Sequence, residues 1–168
     1  MIDRKIPVLS VAAITLAVLL LTIGSGVAAL AQVVASATGS GHFRVSGDLR
    51  TFTFNANTDN SGVTTGQTQG NNRNAGVKWH GRLTCLNVVG NVATMSGVVT
   101  DITPGLGDPF LVGNFIQFQV IDMGEGNNAP PDLISLTLFF PTGSADPGCT
   151  VPQIAATIPI LDGSVTVH

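Results

Sequence analysis

Much of the chain alternates between apolar and polar positions with a period of two, which is the spacing of β-strands. Phe52, Phe54 and Ala56 share one face of such a segment, and threonine and asparagine occupy the other face. The same alternation recurs in residues 114–122 and 134–140. Strands with one apolar and one polar face are typical of an antiparallel sheet that covers a core on one side.

A further strand is predicted over residues 77–85, where Trp79, Leu83 and Cys85 are expected on the inward face. The pattern changes face at residues 86–88, which predicts a bulge or a bend there. The chain then turns at glycine and asparagine and returns as another strand.

Beyond the N-terminal run, no segment shows a helical stripe, and Gly, Asn and Pro interrupt the chain at short intervals. We therefore predict an all-β fold, a single antiparallel β-sandwich or flattened β-barrel. Residues 57–76 are almost wholly polar and predict either a long solvated hairpin or an irregular loop. Within them, residues 64–69 could form an edge strand, which polar side chains protect from aggregation.

The N-terminus has the order of a secretory signal: a short charged start, an uncharged apolar run over residues 6–23, and small residues at Ala29 and Ala31. The run approaches the about 20 residues that span a bilayer, so a retained membrane anchor is the alternative. We predict cleavage after Ala31, which places the domain at the cell surface or in the medium. The predicted segments are a signal peptide (residues 1–31), a linker (residues 32–41) and a β-domain (residues 42–168).

The charge of the exported part limits its partners. Five Lys and Arg residues face nine Asp and Glu residues after position 31, a net charge of −4. So few cations cannot form a patch that neutralises phosphates, and we expect no nucleic-acid partner. Contact with a membrane is expected only if the leader is retained.

Cys85 and Cys149 both lie in the exported part. An even number of cysteines in an oxidising compartment predicts one disulfide bond. Closing a loop of this length stabilises a protein by about 4 kcal/mol on the chain-entropy model. Two buried free thiols are the alternative, and the spacing does not favour a zinc site.

Several motifs occur in an order that resembles a known family. They are residues 39–43, the block from Cys85 to Asn91, the glycine-rich acidic loop from Asp122 to Asp132, and the closing residues 163–168. This order resembles a family of small secreted bacterial β-rich domains related to post-COAP-1 domains. The resemblance implies an all-β fold and export, and it implies no activity. Met123 departs from the asparagine expected in the acidic loop.

The acidic loop is the best candidate site in the sequence. Asp122, Glu125 and Asp132 supply carboxylate oxygens on a flexible backbone, and Ca²⁺ prefers six to eight such oxygen ligands. We therefore considered a calcium site formed by these three residues. The alternatives are a simple connection whose Gly, Asn and Asp residues form turns, and a loop that contacts another ligand.

Catalytic motifs are absent from the exported part: it has no nucleophile elbow, no zinc-protease motif, no phosphate loop and no dinucleotide fingerprint. His80 could act as a base only with a partner that folding supplies. His42 and His168 could bind a metal ion if the terminal strands paired and brought them together. The enzyme class is therefore not expected.

The predicted function is an exported, non-catalytic β-domain with a structural or binding role. A binder of small ligands or carbohydrates is the alternative, and a hydrolase built from Asp122, Glu125 and His80 is the third hypothesis. An open groove lined by Trp79 or phenylalanines favours the binder. Glu125 and His80 in one pocket would favour the hydrolase.

Overall fold

A computed structural model describes residues 32–126, 128–150 and 157–168, which form an antiparallel β-sheet without a helix. The all-β prediction is confirmed. The predicted signal peptide lies outside the described residues. No helix in these ranges is long and apolar enough to cross a membrane. The strands are β1 Val33–Val45, β2 Asp48–Asp59, β3 Thr64–Asn72, β4 Val77–Val89, β5 Val92–Ile102, β6 Phe115–Ile121, β7 Leu133–Ser135, β8 Leu138–Phe139, β9 Thr157–Pro159 and β10 Asp162–Val167.

The sheet curls into a half-barrel in the order β10-β1-β2-β3-β4-β5-β6-β7-β9, and β8 pairs with β6. The strands at its two edges, β9 and β10, are linked by only two residues. The amide of Ile160 donates to the carbonyl oxygen of Asp132 at 2.8 Å, and the amide of Leu161 donates to that of His42 at 2.8 Å. These bonds hold the two edges of the curled sheet together.

The predicted linker is wrong, because residues 33–41 belong to β1, which pairs with both β2 and β10. Small residues in this segment suggested an unstructured connection, but they lie where the strand passes under large core side chains. A Cβ atom on Gly39 would lie 2.8 Å from the ring of Phe54 and 2.9 Å from Val165. Glycine is therefore needed at this position because a larger side chain would collide with its neighbours, and not because the chain must be flexible.

The polar region forms the hairpin that was one of the two alternatives, because β2 and β3 pair in antiparallel register, but its predicted edge strand is wrong. β3 lies inside the sheet, between β2 and β4. Its core-facing positions carry Gly66, Thr68 and Gly70, and its longer polar side chains point away from the core. The space above Gly70 is filled by Trp79, whose Cε2 would lie 2.7 Å from an added Cβ. The neighbouring strands thus supply the apolar bulk that β3 lacks.

The bulge in β4 occurs earlier than predicted. The register with β5 shifts between Leu83 and Cys85, so Leu83 faces the core and Cys85 lies opposite Ser96 on the outer face. The expectation that Leu83 and Cys85 share the inward face is therefore wrong. From that outer face Cys85 forms the predicted disulfide with Cys149, with Cα atoms 5.8 Å apart.

The strand predicted over residues 134–140 is divided into β7 and β8, both paired with β6. The interruption at residues 136–137 changes which side chains face inward. Leu138 is exposed, whereas Phe139 packs against Trp79.

The side chains inside the curl form two separate clusters. The larger contains Ala37, Phe43, Phe54, Ala56, Leu83, Ala93, Met95, Phe118, Val120, Ile134, Ile160 and Val165; the smaller contains Trp79, Val99 and Ile116.

Candidate functional site

A cavity of about 350 Å³ lies where side chains of the two core clusters face each other. Its aromatic wall consists of Phe43, Phe52, Trp79, Phe110 and Phe139. We call it the aromatic cavity. The rest of the lining is mixed: four residues are small or aliphatic (Gly70, Ala75, Val77 and Ile134), and five are polar (Arg50, Thr51, Asn71, Asn72 and Thr137). Natural sites for small molecules have this character: concave, mostly apolar and about 300–1,000 Å³ in volume.

The aromatic rings form two groups. Phe43 and Phe52 have ring centroids 6.0 Å apart, and Phe52 stacks in turn on Phe54 at 6.1 Å. In the second group, Trp79 meets Phe139 edge to face at 5.5 Å, and Phe110 lies 5.0 Å from Phe139. Rings that hold one another in these geometries form stiff walls, since each fixes the orientation of the next.

Strand register explains why the cavity forms here. Arg50 lies opposite Phe43 on β1 and Asn72 on β3, and Phe52 lies opposite Gly70 in the next inward-facing row. β3 therefore contributes no large apolar side chain between the aromatic residues of β2 and β4. The small side chains of β3 leave an opening in the core, at the end of the sheet where β1 turns into β2 and β3 turns into β4.

Arg50 is the charged residue that lines the aromatic cavity. It has the same inward phase on β2 as Phe52 and Phe54, and its Nε is buried without a hydrogen-bond partner. No carboxylate among the described residues lies within 4.0 Å of its guanidinium nitrogens. A buried donor without an acceptor is uncommon in folded proteins, and it marks a group that can still accept a ligand.

The connection between β5 and β6 is held in place by polar contacts, and it carries Phe110 to the aromatic cavity. The buried Asn114 donates from Nδ2 to Asp108 Oδ1 at 2.8 Å and to the carbonyl oxygen of Pro109 at 2.9 Å. The Thr142 amide donates to Asp108 Oδ1 at 2.9 Å. The hydrogen bond from the Thr142 backbone, followed by those from the Asn114 and Thr142 side chains, lowers the pKa of Asp108. Asp108 and Asn114 therefore position this wall of the cavity.

The acidic loop uses two of its carboxylates for structure. Asp132 is buried and accepts from the amides of Met123, at 2.8 Å, and Val165, at 2.7 Å. Asp122 likewise accepts from the amide of Val167 at 3.1 Å. Both residues thus fasten the loop to β10, across the edges of the curled sheet.

The third candidate calcium ligand, Glu125, is exposed. In the ranges that the structure describes, no three His, Cys, Asp or Glu side chains are grouped in a way that could hold a metal ion. The calcium site at Asp122, Glu125 and Asp132 thus gains no support from these carboxylates, and it stays a prediction.

The histidines are dispersed. β1 and β10 do pair, but in an antiparallel register that places His42 opposite Asp162, while His168 exchanges backbone hydrogen bonds with Ser36. Six residues of strand separate the two positions, about 20 Å. The pairing of the terminal strands therefore does not bring the two histidines together, which is the condition that the metal-binding hypothesis required.

His80 lines a polar depression of about 260 Å³ on the outer side of β2, β3 and β4, together with Asn55, Gln67 and Gln69. Neither Asp122 nor Glu125 lines it. The condition that would favour a hydrolase is thus not met by this depression.

One residue of the cavity, Arg50, could have been predicted from the sequence. Arg50 is in phase with Phe52, Phe54 and Ala56, so strict alternation already places a cation on the inward face. The sequence prediction gave Arg50 no role beyond its charge. The contribution of Phe139 had no such signal, because it depends on the interruption between β7 and β8.

Comparisons with protein-family models, with curated proteins and with solved structures found no match to this chain.

Proposed function

We propose that this protein is a non-catalytic binding domain that takes a small apolar molecule into the aromatic cavity. The observation that carries the proposal is the cavity itself, with Trp79 and four phenylalanines in its wall. An opening of this kind is what distinguishes a small-ligand binder from a domain with a filled core. The mouth of a curled or closed sheet is a common place for such sites.

The walls are suited to binding without a large rearrangement. Phe43, Phe52 and Trp79 lie on the paired strands β1, β2 and β4, and Phe110 lies on a connection held by Asp108 and Asn114. A site that is formed before the ligand arrives loses less conformational entropy on binding. The polar depressions on the outer face are a weaker basis for a carbohydrate site, because their linings lack the aromatic platform of the cavity.

Export is part of the proposal. The Cys85–Cys149 disulfide is compatible with an extracellular protein. The predicted N-terminal signal and the resemblance to a secreted β-rich family support the same location. We propose that the domain meets its ligand outside the cytoplasm.

Intrinsic fluorescence tests the proposal directly, because Trp79 is the single tryptophan of the chain and there is no tyrosine. Octan-1-ol, titrated into the oxidised protein, is expected to change the Trp79 emission with saturation. Ala75→Phe adds bulk at the exposed rim of the cavity and should weaken the response. Arg73→Phe, in the same turn but outside the lining, is the matched control.

A non-saturating response, or one that Ala75→Phe and Arg73→Phe alter equally, would contradict binding in the cavity. The domain would then fit the structural role that we considered from the sequence.

A further inference from the structure

The geometry points to a ligand class: we propose that the aromatic cavity selects apolar molecules bearing one carboxylate, and that Arg50 binds this group. The inference rests on the proposed function, because it requires that the cavity is occupied at all. It adds the chemical feature by which one apolar molecule is chosen over another.

The position of Arg50 carries the argument. Its side chain enters the cavity wall on the inward face of β2, between Phe43 on β1 and Asn72 on β3. Its Nε is enclosed and donates to no acceptor. The side chain is half-buried, and no carboxylate among the described residues lies within ion-pair distance of it. An arrangement that costs stability in the free protein is expected where a ligand completes it.

The nearest acidic residue along β2 does not serve as a partner. Asp48, at the start of the strand, accepts from Asn74 Nδ2, and it is not among the residues lining the cavity. Asp108, Asp122 and Asp132 accept backbone amides elsewhere in the fold, and none of them lines the cavity. Arg50 therefore remains available to an external acceptor.

Guanidinium chemistry favours a carboxylate. The planar fork of arginine donates two parallel hydrogen bonds to a planar oxyanion, which a neutral hydroxyl cannot match. One cation in the lining balances one negative charge, so a monoanion fits better than a phosphate dianion. The hydrocarbon part of the same molecule would lie against Phe52, Trp79 and Phe139.

The volume limits the size of this molecule. A cavity of about 350 Å³ lies at the lower end of the range for small-molecule sites. A medium-chain fatty acid or a single-ring aromatic acid is of this size class. We choose octanoate as the probe and octan-1-ol as its neutral match, because the two share the same carbon chain.

The experiment compares the dissociation constants of octanoate and octan-1-ol at neutral pH, using Trp79 emission and the oxidised protein. Octanoate is expected to bind about 10-fold to 100-fold more tightly, the range for a hydrogen-bonded charged group. Arg50→Gln should remove this preference by weakening octanoate binding more than octan-1-ol binding. Arg50→Lys should restore part of it, since it keeps the charge without the planar fork.

Arg44→Gln is the matched control, because Arg44 is an exposed arginine on β1 whose guanidinium donates to the carbonyl oxygen of Gly47. It should preserve the preference for octanoate. If it abolishes the preference as Arg50→Gln does, the effect comes from net charge and the inference is overturned.

The outcomes separate the two proposals. Equal binding of octanoate and octan-1-ol to the wild-type protein would overturn the carboxylate inference and leave the cavity as an apolar site. Binding of neither molecule would overturn the proposed function as well. The wild-type ratio of the two constants needs no variant, so the test stands even if Arg50→Gln fails to fold.

Discussion

The acidic loop and the aromatic cavity use their charged groups in opposite ways. In the acidic loop, both oxygens of the buried Asp132 accept backbone amides, from Met123 and Val165. In the aromatic cavity, the enclosed Nε of Arg50 donates to no acceptor. The loop is the more conspicuous feature in the sequence, yet two of its three carboxylates, Asp122 and Asp132, already have partners within the fold.

This difference teaches how to separate structural from binding residues. A charged group whose hydrogen bonds are satisfied within the protein stabilises the fold, and removing it leaves its partners unsatisfied. A charged group held without a partner contributes little to stability, and its position calls for another explanation, such as a ligand. Five measurements test this contrast between the two regions.

The largest loss of stability is expected from removal of the disulfide on the outer face of the sheet. The double variant Cys85→Ser/Cys149→Ser should lower the free energy of unfolding by about 4 kcal/mol, because the unfolded chain gains loop entropy. Urea unfolding under oxidising conditions measures this. Octan-1-ol should still bind to the folded fraction, because Cys85 and the aromatic cavity lie on opposite faces of the sheet. Loss of binding in the folded variant would show that the two faces are coupled.

Asp132→Asn should destabilise the protein by about 2–3 kcal/mol, since one of two buried amides loses a charged acceptor. Glu125→Gln, an exposed neighbour in the same loop, is the control and should change stability by less than about 0.5 kcal/mol. Chemical denaturation of both variants makes the comparison. Equal stability of the two would contradict the structural role that we assign to Asp132.

Arg50→Met should leave the ligand-free protein as stable as the wild type, or more stable by about 1 kcal/mol, because a buried unpartnered donor is removed. The opposite signs expected at Asp132 and Arg50 are the sharpest form of the contrast. Denaturation without added ligand measures the effect. A loss of 2 kcal/mol or more, judged against the about 1 kcal/mol typical of point mutations, would show that Arg50 is structural.

Substitution of Asp108 is expected to change the free energy of unfolding by a smaller amount, because this residue is exposed. Its pKa in the folded protein lies below the usual value of 3.8 because it accepts hydrogen bonds, of which the one from the Thr142 backbone has the largest effect. Its contribution to stability is therefore fully present above that value and is lost as the pH falls through the folded pKa. Asp108→Asn should be less stable than the wild type at neutral pH, and the difference should shrink in acid. A difference that is constant with pH would rule out this linkage.

The smallest effect is expected from calcium. Thermal unfolding with millimolar Ca²⁺ and with a chelator should give the same midpoint, because Asp122 and Asp132 already accept backbone amides. A bound ion would raise the midpoint by mass action. A rise of several degrees that Asp122→Ala removes would instead establish the calcium site considered from the sequence, and the contrast between the two regions would fail.

Much of the fold could be predicted, because its signals are local. Alternation in β2 and β6 indicated which side chains face the core, and Phe54, Phe118 and Val120 are buried there. β3 could not be placed in the same way, since its inward positions carry glycine and threonine and its partners fill the space. The face of Cys85 was missed because a one-residue bulge inverts all later side chains of a strand.

The candidate site could be predicted only in part. Alternation alone places Arg50 inward beside Phe52, and the single tryptophan was a visible candidate. The cavity itself could not be foreseen, because it depends on which strands are neighbours and on where the chain at residues 136–137 leaves the sheet.

The all-β class, the antiparallel pairing and the cysteine pair could be predicted from the chain alone, since periodicity, turn residues and composition are properties of neighbouring residues. Which polar groups are satisfied, and where the core leaves a cavity, depends instead on long-range packing. Hydrogen-bond partners such as Asp132 and Val165 are far apart in sequence, and a cavity is bounded by side chains from many strands. Long-range packing therefore assigned a structural role to the acidic loop and the proposed binding role to the aromatic cavity.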